Sequence, residues 1–342
     1  MADRMSRIAL DIRFSLLHQH GSFSQAYSAT VQPGLEYFGD EQGFIAYKMV
    51  GATALVLSDP VAPRQHHDLL IRRFLGEQHD ACFCQVSHPV AKLLSSFGFF
   101  VNEFGAESRI DLAGYDFSGQ GKRHLRNATN RTDRLGYVIR ECSIAEVGAD
   151  TVQAVSDVWK RTRTVRNREV SFLSRPVVFS AEPDVRWFFC FAHDGKLLAF
   201  GMFDPVYELG RVVGYAAQAH RHLPDADSLV QQAIKRRAIE TFKAEGRKWL
   251  FIGIAPFAGI HDWRRVDAAG AAGQEFRRNW LVRRTFRLAY KSALINRFIY
   301  PWKTICEHKL QFRGALPQTY YAFNKSPSLP RLLKVLRACD IL

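Results

Sequence analysis

WFFCFAHDGKLLAFGMFDPVYELGRVVGYAAQAHRHLPDADSLVQQAIKRRAIETFKAEGRKWLFIGI, residues 187–254, is the stretch whose reading decides the fold. WFFCF and LLAFGMF are dense in aromatic and aliphatic residues, as strands are, and they flank His193-Asp194-Gly195-Lys196, in which Asp-Gly signals a tight hairpin turn. RVVGYAAQAHR supplies a third strand. The turn LPDADS then opens a helix in which Val230, Ile234, Ala238 and Phe242 recur every four residues and mark the face that enters the core. Gly246 closes that helix, and WLFIGI follows as a buried strand. The order is strand, strand, strand, helix, strand.

The same rhythm occurs upstream. After Gly43, FIAYKMV and ATALVLSD read as strands and HHDLLIRRFLGEQH (66–79) as an amphipathic helix. ACFCQVS then reads as a buried strand, PVAKLLSSFG (89–98) as a short helix and FFVNEFGAESRIDL as a strand. Hairpin strands, a helix laid on the sheet and a parallel strand, seen twice, form the pattern of a tandem GNAT-like (N-acyltransferase) fold. That is an α/β (α+β) architecture of mixed central sheets flanked by helices. The expected organisation is an N-terminal helix over 1–24, a first GNAT-like domain over 25–118, a basic helical linker over 119–160, and a second GNAT-like domain over 161–342 with a basic helical extension. In that extension ten Lys/Arg between Phe276 and Arg313 stand against one acid, Glu307. The spacing by sevens puts Arg277, Arg284 and Lys291 on one expected helix face, beside an apolar stripe of Phe286, Tyr290 and Leu294.

The bulk composition limits the partners. The chain has 342 residues and a net charge of +14, from 47 Lys+Arg against 33 Asp+Glu. That excess favours polyanions, nucleic acid or an anionic membrane surface, without choosing between them, and it also fits a basic enzyme with neither partner. The six cysteines include no Cys-x-x-Cys pair and no zinc spacing, which fits a reducing cytoplasm and gives no expectation of a metal. The N-terminus lacks the apolar core of a signal peptide, and the longest apolar run, 249–260, is too short to span a bilayer. The expectation is a cytoplasmic chain whose membrane contact, where there is any, is peripheral at the inner face.

Five co-linear stretches resemble the cytoplasmic catalytic part of the lysylphosphatidylglycerol synthase (multiple peptide resistance factor) family. They are LVLSDPVAP (55–63), FGAESRIDLAGYDFSGQGKRHLRNATNRTDRLGY (104–137), LLAFGMFDP (197–205), GIAPFAG (253–259) and KLQFRGALPQTYYAFNKSPSLPRLLKVL (309–336). The resemblance implies a tandem GNAT-like fold, aminoacyl-tRNA as donor with no cofactor, and transfer of the aminoacyl group to a hydroxyl. In the best-known members the acceptor is phosphatidylglycerol; related members use small-molecule acceptors, amines included. Where lipid-modifying members resemble Asp-x-x-Arg, this chain has Gln218-Ala-His-Arg221. An amide cannot supply a carboxylate's charge, so the resemblance implies a changed specificity at that point.

An aminoacyl ester is already activated. The enzyme needs to position it, stabilise the oxyanion and help deprotonate the acceptor. No Gly-x-Ser-x-Gly elbow is present. In GNAT folds the site lies where the central strands splay beside the next helix, which maps to His220–Ser228. The candidate catalytic residues are therefore Arg221, as a clamp for a carboxylate, phosphate or oxyanion, His220 or His222 as general base, and Asp227 as a ligand for an α-ammonium. Bland roles stand beside these: a surface salt bridge for Arg221, a helix cap for Asp227 and structural duty for the histidines. From the resemblance, Gln218, Glu107, Gly253, Pro256 and Lys309 are candidate substrate-binding residues. Lys122, Arg123, Arg126 and Arg131 of the linker, with WKRTRTVRNR (159–168), are candidate tRNA contacts, the alternative being a solvated helix face.

Two other functions fit the same fold. One is a CoA-dependent N-acyltransferase. Arg211-Val-Val-Gly214-Tyr-Ala216 matches the phosphate-loop string but lies inside a strand, and the true strand-to-helix turn, HLPDADS, has no Gly and two acids. The other is a non-catalytic binder of tRNA or anionic membrane.

Overall fold

The computed structural model describes residues 8–165, 168–260, 275–325 and 329–342. Among them one eleven-stranded mixed sheet holds both halves of the chain together. Its strands are β1 (Glu36–Asp40), β2 (Gly43–Val50), β3 (Thr53–Leu57), β4 (Ala81–Val86), β5 (Phe100–Asp111), β6 (Val138–Glu141), β7 (Arg186–Phe191), β8 (Leu197–Glu208), β9 (Arg211–His222), β10 (Trp249–Pro256) and β11 (Gln318–Phe323). Their spatial order is β1-β2-β3-β4-β11-β5-β10-β9-β8-β7-β6. Helix α1 covers Leu10–His20, α2 Ala26–Val31, α3 His67–Glu77, α4 His88–Ser96, α5 Arg123–Arg134, α6 Ile144–Val147, α7 Ala149–Thr162 and α8 Val230–Ala244. Helices α9 (Trp280–Lys291), α10 (Ala293–Phe298), α11 (Trp302–Leu310) and α12 (Leu329–Ala338) complete the chain.

Each half is a hairpin-rich sheet ending in one parallel pair, β3 with β4 across α3 and β9 with β10 across α8. The fold is thus two GNAT-like units, and the antiparallel pairing of β5 with β10 fuses them edge to edge. β11 pairs with β4 on one side and β5 on the other, so the closing segment, assigned by sequence to the second half, completes the sheet of the first.

Period-two alternation places helices on both faces. In β2, Ile45 and Tyr47 pack with Leu70, Ile71 and Phe74 of α3. Phe44 and Ala46 enter the opposite core with Val282 and Phe286 of α9 and Val335 of α12. In β7, Phe188 and Cys190 join the core under Val230, Ile234, Ala238 and Phe242 of α8, whereas Trp187 and Phe189 meet Val152 and Val155 of α7. The termini of the helices follow from local chemistry. Asp68 lies in the first turn of α3, Pro89 stands at the start of α4, and Asn279 Oδ1 accepts the Leu281 and Val282 N–H groups to open α9.

Two expectations for the extension are corrected. Arg277 precedes α9 and stacks 4.0 Å over Phe100, so it does not share the face of Arg284 and Lys291. The apolar stripe ends at Tyr290, because the helix stops at Lys291 and Ser292 caps a new one, in which Leu294 is exposed. Cys82 and Cys84 are buried on one face of β4, and all six cysteines are free. Among the described residues no helix is long and apolar enough to cross a membrane.

Candidate functional site

β9 and β10 pair over three positions, Trp249↔Gly214 to Phe251↔Ala216, and then diverge. Gly214 is needed at the tight end, where a Cβ would sit 2.3 Å from the Trp249 carbonyl oxygen. Irregularities widen the other end. Phe203 of β8 faces Ala217 and Gly201 faces His220, so β9 carries one extra residue, a bulge at Gln218-Ala219. β10 slips against β5 between Phe251 and Gly253, and Gly253 has φ +95°. A cavity of about 600 Å³ fills the gap. Its walls include Ala216 to His222 of β9, Gly253 and Pro256 of β10, Lys235 of α8, His308 and Lys309 of α11, and Trp159 and Glu169 from the end of α7 and the segment beyond it.

Basic side chains gather at one side of this cavity. The Lys309 ammonium donates to the Ile252 carbonyl at the β10 irregularity, and burial pushes its pKa down to about 8. A Cβ on Gly253 would meet Lys309 Nζ at 2.9 Å, so the glycine makes room for the amine. Lys235 is 2% exposed, with no hydrogen-bond or ion-pair partner among the described residues. Burial, then the neighbouring Lys309 charge, holds it well below the ordinary lysine range. His220 Nε2 and His222 Nδ1 are buried with no hydrogen-bond partner among the described residues. Burial first, then Lys235 and Lys309, keeps His220 neutral, and burial with the same two lysines takes His308 down to about 2. His222 is lowered by burial and Arg163.

Arg221 meets the cavity wall from the other face of β9, because successive residues of a strand alternate. Its guanidinium donates to Ser156 Oγ and to Glu169, and it lies 5.0 Å over Trp159. At 4% exposure it is neither a surface ion pair nor a free clamp; it fixes Glu169. Glu169 is the one carboxylate among the described residues lining the cavity. Asp227 lies outside the cavity wall. One of its oxygens accepts the Leu229 N–H at 2.9 Å, capping the turn before α8, and the other takes Arg131. Asp227 thus takes one N–H of that turn and puts a carboxylate beside it, which disfavours a pyrophosphate there, and Gly214 of the phosphate-loop string serves strand packing.

Gln218, Gly253, Pro256 and Lys309 line the cavity. Glu107 does not: it accepts a hydrogen bond from Ser24 Oγ, and burial raises its pKa to about 7. In the linker, Lys122 donates to the Asp116 carbonyl at 2.7 Å and lies over Tyr115, and Arg126 donates to the Phe117 and Gly119 carbonyls. Both fold back onto their own loop. Arg123 is exposed, and Arg131, paired with Asp227, keeps a half-exposed side chain. Arg163 stacks on Trp159 at the cavity wall, whereas Arg166 and Asn167 of the same basic run lie outside the described residues.

Lys235 and Glu169 were not among the sequence candidates. Lys235 sits one residue from the core position Ile234, where a lone lysine reads as solvated. Its signal was its four-residue spacing from Gln231, a second polar residue on that buried flank. Glu169 lies in an irregular segment, and no periodicity predicts where such a side chain points.

The family model described as phosphatidylglycerol lysyltransferase, C-terminal, matches residues 14–323. The chain is 22% identical over 302 residues to a phosphatidylglycerol lysyltransferase of Bacillus subtilis, covering 86% of this chain and 32% of that protein. A Staphylococcus epidermidis protein of the same name is 24% identical over 270 residues, covering 74% of this chain and 31% of the relative. The chain thus spans about a third of the length of the curated relatives it matches. Among solved structures, L-PGS from Bacillus licheniformis superposes with a TM-score of 0.74 at 19% identity, covering 99% of both chains. The C-terminal domain of an Agrobacterium fabrum protein described as a lysylphosphatidylglycerol synthetase gives 0.72 at 17%, covering 96% of this chain and 95% of that one. These two likenesses establish the fold, and the family match, which runs from α1 to β11, takes in both halves of the sheet and the cavity between β9 and β10. The chain belongs to the phosphatidylglycerol lysyltransferase C-terminal domain family.

Proposed function

We propose that this chain moves an aminoacyl group from aminoacyl-tRNA to a hydroxyl of a phosphatidylglycerol-type lipid in the cavity between β9 and β10. The observation that carries the reading is Lys309: an amine with a pKa near 8, held at the divergence of two parallel strands, in a chain of this family. In its unprotonated form Lys309 takes the proton of the acceptor hydroxyl. The hydroxyl oxygen bonds to the ester carbonyl carbon and the bond to the terminal ribose oxygen breaks. That oxygen receives the proton from Lys309. Having taken the acceptor's proton, the Lys309 ammonium stabilises the oxyanion in between. Arg221 acts as a positioning residue, keeping Glu169 at the wall, where its carboxylate is placed for the α-ammonium of the aminoacyl group.

Exposed Arg123, with the free part of Arg131, is the surface we assign to tRNA phosphates. For the lipid we assign the outer face of α9 and α10, where Trp280, Leu288, Leu294 and Phe298 are exposed beside Arg284, Lys291 and Arg297. Apolar side chains flanked by cations suit an anionic bilayer.

Purified protein, tRNA charged with a labelled amino acid and phosphatidylglycerol vesicles should yield labelled lipid. Absence of transfer from every charged tRNA would overturn the reading. Sedimentation with phosphatidylglycerol vesicles, lost in a Leu294→Glu/Phe298→Glu variant and weak with phosphatidylcholine, tests the membrane face.

A further inference from the structure

We infer that the part of the cavity wall formed by Lys235 is a carboxylate subsite, and that the donor carries an acidic aminoacyl group, aspartyl or glutamyl, whose side-chain carboxylate is received by Lys235. This rests on the transferase reading above and adds the class of amino acid.

Three observations lead there. First, Lys235 faces the cavity at 2% exposure and has no acceptor among the described residues. An amine withdrawn from water sheds its proton unless a counter-charge holds it, and among the described residues no acid stands beside this one. His220 Nε2, in electrostatic reach of the same amine, is likewise buried with no hydrogen-bond partner among those residues. Second, the charged groups that bear on this corner are all of one sign or neutral: Lys235 on α8, Lys309 and His308 on α11 and His220 on β9. The one lining carboxylate, Glu169, is bound to Arg221, which points to the opposite face of β9. A lysyl or arginyl group would bring a further cationic group to a corner that already holds two amines and, among the described residues, offers no acid. An acidic group supplies the missing charge. Third, a group almost sealed from solvent suits a terminal substituent. A side-chain carboxylate ends its chain, whereas a lipid phosphodiester continues on both sides and needs a passage.

Binding can be tested apart from transfer, using amino-acid α-amides as stand-ins for the esterified α-carboxyl. In calorimetry, the α-amides of L-aspartate and L-glutamate are expected to bind at least about tenfold more tightly than asparaginamide, glutaminamide or lysinamide. Lys235→Met should erase that preference by weakening the binding of the acidic amides most. Lys235→Gln, with a thermal melt of each variant, guards against misfolding. The inference fails if lysinamide binds as well as the acidic amides, if acid and amide side chains bind equally, if no amide binds, or if the preference survives in both variants. It also fails if sn-glycerol 3-phosphate binds in a Lys235-dependent way without any preference among the amides, since the subsite would then belong to the acceptor. Transfer from tRNA charged with aspartate, glutamate or lysine separates the two readings. Preferred transfer of lysine overturns the subsite and keeps the transferase. Acid-selective, Lys235-dependent binding with no transfer from any charged tRNA keeps the subsite and overturns the transferase.

Discussion

Lys309 and Arg221 are both cations on the cavity wall, and their surroundings give them opposite tasks. Arg221 has its donors taken by Ser156 and Glu169, so it holds geometry. Lys309 has one backbone acceptor and a pKa near 8, so a usable fraction is unprotonated near neutral pH. Because the base form is the unprotonated one, transfer should rise with pH and level off above about 8. Lys309→Met should remove that limb and lower kcat by about a hundredfold or more, as loss of a general base does. A pH–rate profile of both proteins checks this; an unchanged profile in the variant would exclude Lys309 as the base. A second test at this scale concerns Arg175, whose buried guanidinium is paired with Asp204 at 2.5 Å and Glu182 at 2.8 Å, on the segment that brings Glu169 to the cavity. Removing one partner of such a cluster strands buried charge. Arg175→Ala should therefore cost about 3–5 kcal/mol in urea denaturation.

At the scale of elements, the site is made by strands that stop pairing. The bulge at Gln218-Ala219 and the slip at Gly253 separate β9 from β10 while their other ends stay locked at Gly214. Gly253→Ala would force a Cβ onto a residue with φ +95° and to within 2.9 Å of Lys309 Nζ. The strain alone is worth about 1 kcal/mol or more, and the displaced amine should lower kcat well beyond what that loss of stability explains. Activity measured beside a thermal melt distinguishes the two effects. The helices and most strands were legible in the sequence because burial imposes a period on them; Val230, Ile234, Ala238 and Phe242 of α8 lie in the core where the spacing puts them. The bulges were not legible, since one extra residue changes which face a side chain meets without leaving a compositional trace. His220 and Arg221, grouped by sequence, reach the same cavity from opposite faces of β9.

For the whole molecule, the decisive feature is that the two halves share a single sheet. β11 sits between β4 and β5, so the last strand of the chain supports the very strand, β5, that carries β10. The net charge of +14 acts at this scale too. Uncharged tRNA should bind with an affinity that falls about tenfold or more between 50 and 200 mM salt, as released counterions require. Filter binding across that range measures the slope; a flat response would remove phosphate contacts from the account, and Arg123→Glu should reduce the slope.

The amino-acid sequence by itself determined the repeated order of strands and helices, the family likeness and the basic character, because periodicity, turn residues and charge are local properties. It also supplied Lys309, Gly253 and Gln218 as candidates. The tertiary structure alone decided which basic groups meet: Lys235 beside Lys309 from helices α8 and α11, and Arg221 on the other face of β9, bound to Glu169. The reason is physical. The worth of a charge depends on its solvent and its neighbours, and residues 74 positions apart become neighbours only when the chain closes around the gap between β9 and β10.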